Sequence, residues 1–192
     1  MAEAAGFRHL EDRLVHAGFV WDLVRGRFEG PDGEPFERDV VRSPGAVGVV
    51  PLLDGHDGGE PTVVLVAQYR AAFDRVLVEV PAGMCDVDGE PPEETARREL
   101  AEEVGLAAGS ITPLFDIIAS PGMTDQMLWL FVATDCRPSV REAHGVEEEH
   151  SEVIELPLSE ALAWVADGRI QDAKSVIGLL LVDQRRRAAG GW

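Results

Sequence analysis

The chain has 192 residues, 45% of them apolar, enough for one domain with a sizeable core or for one domain with an appendage. Its net charge is −18, with Lys174 the single lysine beside sixteen arginines, which argues against nucleic acid and anionic membrane surfaces as partners. Cys85 and Cys136 lie far apart and in no metal-ligand spacing, which reads as two reduced thiols in a cytoplasmic protein.

The opening stretch MAEAAGFRHLEDR has neither a basic start nor an apolar run, so no signal peptide is expected. No segment approaches the ~18 apolar residues of a membrane span. Residues 14–42 alternate apolar and polar positions around GPDGEP, a turn sequence with Asp-Gly inside it, and predict a small antiparallel β unit. Alternation puts Phe19, Trp21 and Leu23 on one face and Val20, Asp22 and Val24 on the other. The unit takes residues 1–44, and a main domain follows over 45–192. GAVGVVPLL (45–53) and TVVLVAQYR (62–70) predict strands joined by the loop DGHDGGEP, and VLVEVPAG (76–83) predicts another, stopped by Pro81. EPPEETARRELAEEVG (90–105) predicts a helix. Pro91 and Pro92 suit its first turn, Glu93 and Glu94 its positive end, and Gly105 its exit. ITPLFDIIAS and QMLWLFVATDC are further strand candidates. LSEALAWVADGRI and DAKSVIGLLLVDQRRR predict two C-terminal helices before a fraying tail. The mixture indicates an α/β or α+β fold.

The helix over 90–105 poses a charge problem. Ala96, Leu100 and Val104 form one apolar stripe, and Glu103, Glu99 and Glu102 follow next around the cylinder. Arg98 has Glu94 and Glu102 four residues away, whereas Glu99 and Glu103 have no basic residue at those spacings. A solvated acidic face is one reading. The other is a site for a hard divalent cation, Mg²⁺ or Mn²⁺, which takes carboxylates and keeps water and substrate phosphates as its remaining ligands.

From Glu90 the chain reads E-x7-R-E-L-x-E-E-x-G-L, which resembles the signature of the Nudix hydrolases, G-x5-E-x7-R-E-U-x-E-E-x-G-U with U apolar. Glu90, Arg98, Glu99, Leu100, Glu102, Glu103, Gly105 and Leu106 all match, while the loop after Gly83 carries one extra residue. The resemblance implies an α/β/α sandwich around a mixed sheet, with the N-terminal β unit appended. It implies Glu99 and Glu103 as metal ligands, Glu102 assisting, and the Ala82 carbonyl completing the site. Arg98 and Glu90 would brace the loop against the helix.

Further stretches resemble the ADP-ribose pyrophosphatases within that family: AQYR (67–70), VEVPAG (78–83), and SPGMTDQ, whose Pro121 lies fifteen residues after Leu106. The implied reaction is ADP-ribose plus water to AMP and ribose 5-phosphate. Siblings acting on another nucleoside diphosphate sugar or a dinucleotide share the catalytic residues, and a non-catalytic ADP-ribose-binding regulator could tolerate a broken signature. Gln126 stands where relatives often carry glutamate. By the same resemblance, the loop EEEH (147–150) brings a glutamate as base or extra ligand. Glu148 is favoured, with Glu147 and Glu149 not separable from it. Arg70 would hold a substrate phosphate, and Tyr69 and Phe36 would flank an adenine or merely pack. Glu79 and Met123 join the substrate-binding set. The β unit resembles one exchanged between subunits of dimeric relatives, so a homodimer is expected, with Phe36 reaching the partner's nucleotide pocket.

Overall fold

The computed structural model describes residues 5–55 and 59–189. The centre of the DGHDGGEP loop and the last residues of the tail therefore lie outside the described residues, as do the first four of the opening stretch. The chain forms two compact units. One runs to Gly45 and takes in Ile118–Met127; the other holds Ala46–Ile117 and continues from Leu128. Among the described residues, no helix is long and apolar enough to cross a membrane.

The first unit is an antiparallel meander of β1 (Arg8–Ala17), β2 (Asp22–Glu29) and β3 (Pro35–Arg42). GPDGEP makes the β2–β3 turn, where Gly33 takes the left-handed φ of 83° that glycine allows. Two differences from the sequence reading matter. The first strand begins at Arg8, inside the polar opening stretch, so the unit has three strands. Phe19 and Trp21 lie in the β1–β2 turn, closed by the Gly18 N–H on the Trp21 carbonyl (2.9 Å), and not on a strand face. Strand alternation does not apply to a turn, so both rings are exposed, along with Leu14 and Val15 of β1. The segment 118–127 joins this unit through the Val41 N–H, which donates to the Met123 carbonyl (2.9 Å), and through Arg42, which pairs with Asp12 and Asp125. The unit thus recruits chain beyond residue 44.

The second unit is a layered α/β structure. Its elements are β4 (Ala46–Leu53), β5 (Thr62–Arg70), β6 (Arg75–Glu79), β7 (Ala82–Met84), α1 (Pro92–Val104), β8 (Leu106–Ala107), β9 (Ser110–Ile118), β10 (Met127–Thr134), β11 (Arg137–Pro138), α2 (Val146–Glu149), β12 (Glu152–Pro157), α3 (Leu158–Ala166) and α4 (Ala173–Ala188). The mixed sheet runs β12-β5-β4-β10-β9, with β6 on β5 and β7 on β4; β4 and β10 are parallel. Strand alternation divides its side chains between two cores. Val47, Val49, Val64 and Val66 face Ala96, Leu100 and Val104 of α1. Val50, Leu52, Val63 and Leu65 face Leu158, Ala161, Leu179 and Val182 of α3 and α4. The result is the expected α/β/α sandwich. α4 extends to Ala188, so the three arginines of the tail sequence are helical.

Candidate functional site

Helix α1 is placed by its own ends. Pro91 caps it, Glu93 and Glu94 occupy the first turn, and Gly105 closes it at φ 66°, its N–H on the Ala101 carbonyl (2.9 Å). Burying Ala96, Leu100 and Val104 turns the neighbouring Glu99 and Glu103 inward, to 7% and 4% exposure. Facing them is β7, a short strand held on β4 in the register Val47↔Gly83 and Gly48↔Ala82. The Ala82 N–H donates to Glu103 Oε2 at 2.8 Å. A Cβ on Gly83 would lie 2.0 Å from the Glu99 carboxyl carbon, so that carboxylate occupies the space which only a glycine leaves.

Burial raises both carboxyls. Glu99 is pushed up to about 7; Arg98 offsets part of the rise, and Glu102 and Glu148 add to it. Glu103 is pushed up to about 8; the Ala82 N–H offsets part of that, and Glu99 and Glu148 add to it.

Arg98 makes a different set of pairs from the one spacing predicts. It reaches Glu99 at 2.7 Å, Glu102 at 2.9 Å and Glu90 at 3.2 Å, leaving Glu94 aside. Glu90 also accepts from Thr95 Oγ1 (2.8 Å), so this cluster ties the loop to the helix, the bracing that the resemblance implies.

The acidic loop becomes the one-turn helix α2. Glu148 is half-buried, Glu147 and Glu149 are exposed, and only Glu148 of the three lines the cavity with Arg70, Ala82, Gly83, Glu99, Glu102 and Glu103. Its Oε2 accepts from the His144 N–H at 2.7 Å. Arg141, which sequence reading passed over, clasps this turn to α1. Its Nε donates to the Glu103 carbonyl (2.7 Å), and its Nη2 to the Glu148 carbonyl (3.0 Å) and Ser151 Oγ (2.7 Å). A lone arginine in an acidic loop was the available signal.

Arg70 ends β5 at this cavity. Gln68, two residues before it and on the same strand face, also lines the cavity and is buried. Glu79 sits elsewhere than the substrate-binding expectation places it. It is 3% exposed, lines no part of the cavity, and accepts Arg70 Nε and Nη2 at 2.7 and 2.8 Å. Burial alone would raise its carboxyl, but Arg70 and Lys174 outweigh it and hold it at about 2. Tyr69 points to the other face of β5, and its hydroxyl donates to Asp74 (2.9 Å). Phe36 and Met123 line a separate hollow of the first unit. There Phe36 stacks on Phe28 (5.4 Å between centroids), with the Arg38 guanidinium 5.0 Å from its ring.

Among the described residues, no three His, Cys, Asp or Glu side chains are gathered as a finished metal cage. Arg98 holds Glu99 and Glu102 instead. The donor chemistry nevertheless fits a hard divalent cation: two buried carboxylates side by side, more carboxylate than cation around them, and a glycine cradle at Glu99. Such a set can hold cations against an anionic substrate, and Glu148 and Arg70 line the same cavity.

Comparison with known proteins bears on this geometry. The NUDIX domain family matches residues 42–177. An ADP-ribose pyrophosphatase of Mycobacterium tuberculosis (strain ATCC 25618 / H37Rv) is 38% identical over 177 residues, 92% of this chain and 83% of that protein. A methanol dehydrogenase activator of Bacillus methanolicus is 36% identical over 170 residues, 88% of this chain and 89% of its own. Among solved structures, an ADP compounds hydrolase has the same fold, with a TM-score of 0.80 at 23% identity over 99% of both chains.

Proposed function

This chain belongs to the Nudix family and is a Nudix hydrolase, and we propose that it cleaves the pyrophosphate of ADP-ribose, giving AMP and ribose 5-phosphate. One observation carries the reading: the buried Glu99–Glu103 pair against the Ala82–Gly83 backbone, with Glu148 and Arg70 on the same cavity. Similarity to an ADP-ribose pyrophosphatase over most of both chains supports the substrate.

Glu99 and Glu103, with Glu102 and the Ala82 carbonyl, would hold Mg²⁺ or Mn²⁺. Such cations neutralise phosphate oxygens and lower the pKa of water. Glu148 accepts the proton of the attacking water, whose oxygen bonds to phosphorus as the bond to the bridging oxygen breaks. Arg70 steadies a phosphate through the charge of its guanidinium.

The test is a substrate panel with Mg²⁺, scored by phosphate-containing products: ADP-ribose, a guanosine diphosphate sugar and a dinucleotide. ADP-ribose should be turned over with the highest kcat/KM, and chelation should abolish the activity. Preference for another member moves the assignment to a sibling enzyme, and turnover of none leaves a binding regulator.

We also propose a cytoplasmic homodimer built on the first unit. Its support is the exposure of the apolar side chains Phe19, Trp21, Leu14 and Val15 on that unit. Light scattering should give twice the 20.8 kDa chain mass for the wild type, and one chain mass for Phe19→Asp/Trp21→Asp. A wild-type monomer with full activity would refute the dimer.

A further inference from the structure

Lys174 is the only lysine of the chain, and it is buried, at 8% exposure. Its position is doubly unfavourable. An ammonium taken out of water costs several kcal/mol unless it is paired. It also lies in the first turn of α4, just after the N-cap Asp172, where the helix end is itself positive. An apolar side chain would fill the place without that cost, so the charge itself calls for an explanation.

Its partners supply one. The Lys174 ammonium donates to Glu79, and to Asp172 Oδ2 at 3.0 Å. Glu79 grips Arg70 with both oxygens, through Nε and Nη2. Four charges therefore alternate from α4 to the cavity: Asp172, Lys174, Glu79, Arg70. Among the described residues, Arg70 Nη1 takes no protein partner, and Arg70 lines the cavity beside Glu99 and Glu103. Asp172 already contributes to the field on Arg70. Without the lysine, Arg70 would be the one cation of this row facing two inner carboxylates, and it would be drawn back from the cavity.

We propose that Lys174 is a positioning residue for diphosphate binding: by neutralising Glu79 and Asp172, it leaves the Arg70 guanidinium turned to the substrate phosphate. This rests on the reading that the cavity takes a nucleoside diphosphate. Glu79 is the intermediate member, which accounts for its being buried behind Arg70.

The test is a double-mutant cycle on the full chain, with Lys174→Met, Arg70→Met and both together. Two probes are titrated by calorimetry: α,β-methylene-ADP-ribose and inorganic pyrophosphate. Lys174→Met should weaken both by about 10-fold, the value of one charge-assisted hydrogen bond. It should raise KM similarly with little change in kcat. In the Arg70→Met background, Lys174→Met should add less than about 2-fold, because the residue through which it acts is gone. An equal penalty in both backgrounds, or unchanged affinity with only a lower melting temperature, overturns the proposal and makes the lysine structural. If Lys174→Met does not fold, Lys174→Gln, which loses the charge and keeps a hydrogen-bonding side chain, enters the same cycle with the same criterion. Lys174-dependent pyrophosphate binding without ADP-ribose turnover would sustain the positioning role while removing ADP-ribose as the substrate. Failure of the wild type to bind either probe overturns both.

Discussion

Glu99→Gln and Glu103→Gln should each lower turnover on the order of 100- to 1,000-fold, about 3–4 kcal/mol of transition-state stabilisation. The amide keeps the shape of the carboxylate and removes the charge that would hold a cation. Both residues lie within a cluster whose burial and mutual repulsion push their carboxyls up to about 7 and 8, so removing one charge relieves the fold. The metal-free variants should therefore melt no lower than the wild type. Mg²⁺ should raise the wild-type melting temperature, since a ligand bound only by the native state stabilises it, and this rise should shrink in both variants. Near-wild-type turnover of either variant at saturating Mg²⁺ would remove that residue from the ligand set. Equal Mg²⁺ shifts in all three proteins would point to general screening of a chain of charge −18.

Gly83→Ala should disable the enzyme almost as completely, although it adds a single methyl group and removes no charge. That methyl would meet Glu99 at 2.0 Å from its carboxyl carbon and 2.1 Å from Oε1. Either the carboxylate or β7 must then move. β7 is tied to β4 by its register, and Ala82 next door donates to Glu103, so the backbone has little freedom. Relief by moving Glu99 misplaces the ligand; relief by moving β7 breaks the Ala82–Glu103 bond. All the atoms met belong to the far end of the flexible Glu99 side chain, so the loss falls mainly on activity and only slightly on stability. The expected result is a folded protein with a slightly lowered melting temperature and activity comparable to that of Glu99→Gln. Gly89→Ala makes the control within the same loop region: it takes a positive φ, but a Cβ there meets nothing within 4 Å. It should cost some stability and leave turnover near normal. Full activity in Gly83→Ala would mean that Glu99 need not occupy its cradle.

Where contacts are local, the sequence alone was sufficient. Helix α1 is specified by neighbours a few residues apart, through its prolines, first-turn acids and closing glycine. Its start, stop and buried stripe were legible, whereas the burial of Glu99 and Glu103 was left open beside a solvated acidic face and was decided by packing against β7. Strands β4, β5 and β10 declared themselves through apolar runs, and alternation sorted their side chains between two cores. Even there, one local inference failed: Arg98 prefers the adjacent Glu99 and the upstream Glu90 to Glu94, because a long flexible side chain follows the fold of the loop around it.

What lay beyond the sequence depends on groups brought together from distant positions. Glu79 and Lys174 are 95 residues apart, and Arg141 and the Glu103 carbonyl 38. No periodicity encodes such pairs, so tertiary structure alone decided that Glu79 stands behind Arg70 and not in the cavity. It decided likewise that Glu148, of three consecutive glutamates, lines the cavity: the Arg141 clasp and the His144 N–H orient that turn. The first unit teaches the same lesson in reverse. Alternation treated Phe19 and Trp21 as strand residues, but the Gly18–Trp21 turn removed them from any face. The 118–127 segment joined β3 through long-range hydrogen bonds that composition could not announce. Local propensity thus determined the helix, and its acids matched the Nudix signature, while the placing of Glu148, Arg70 and Lys174 required the chain to close on itself, since only packing brings remote charges within hydrogen-bonding distance.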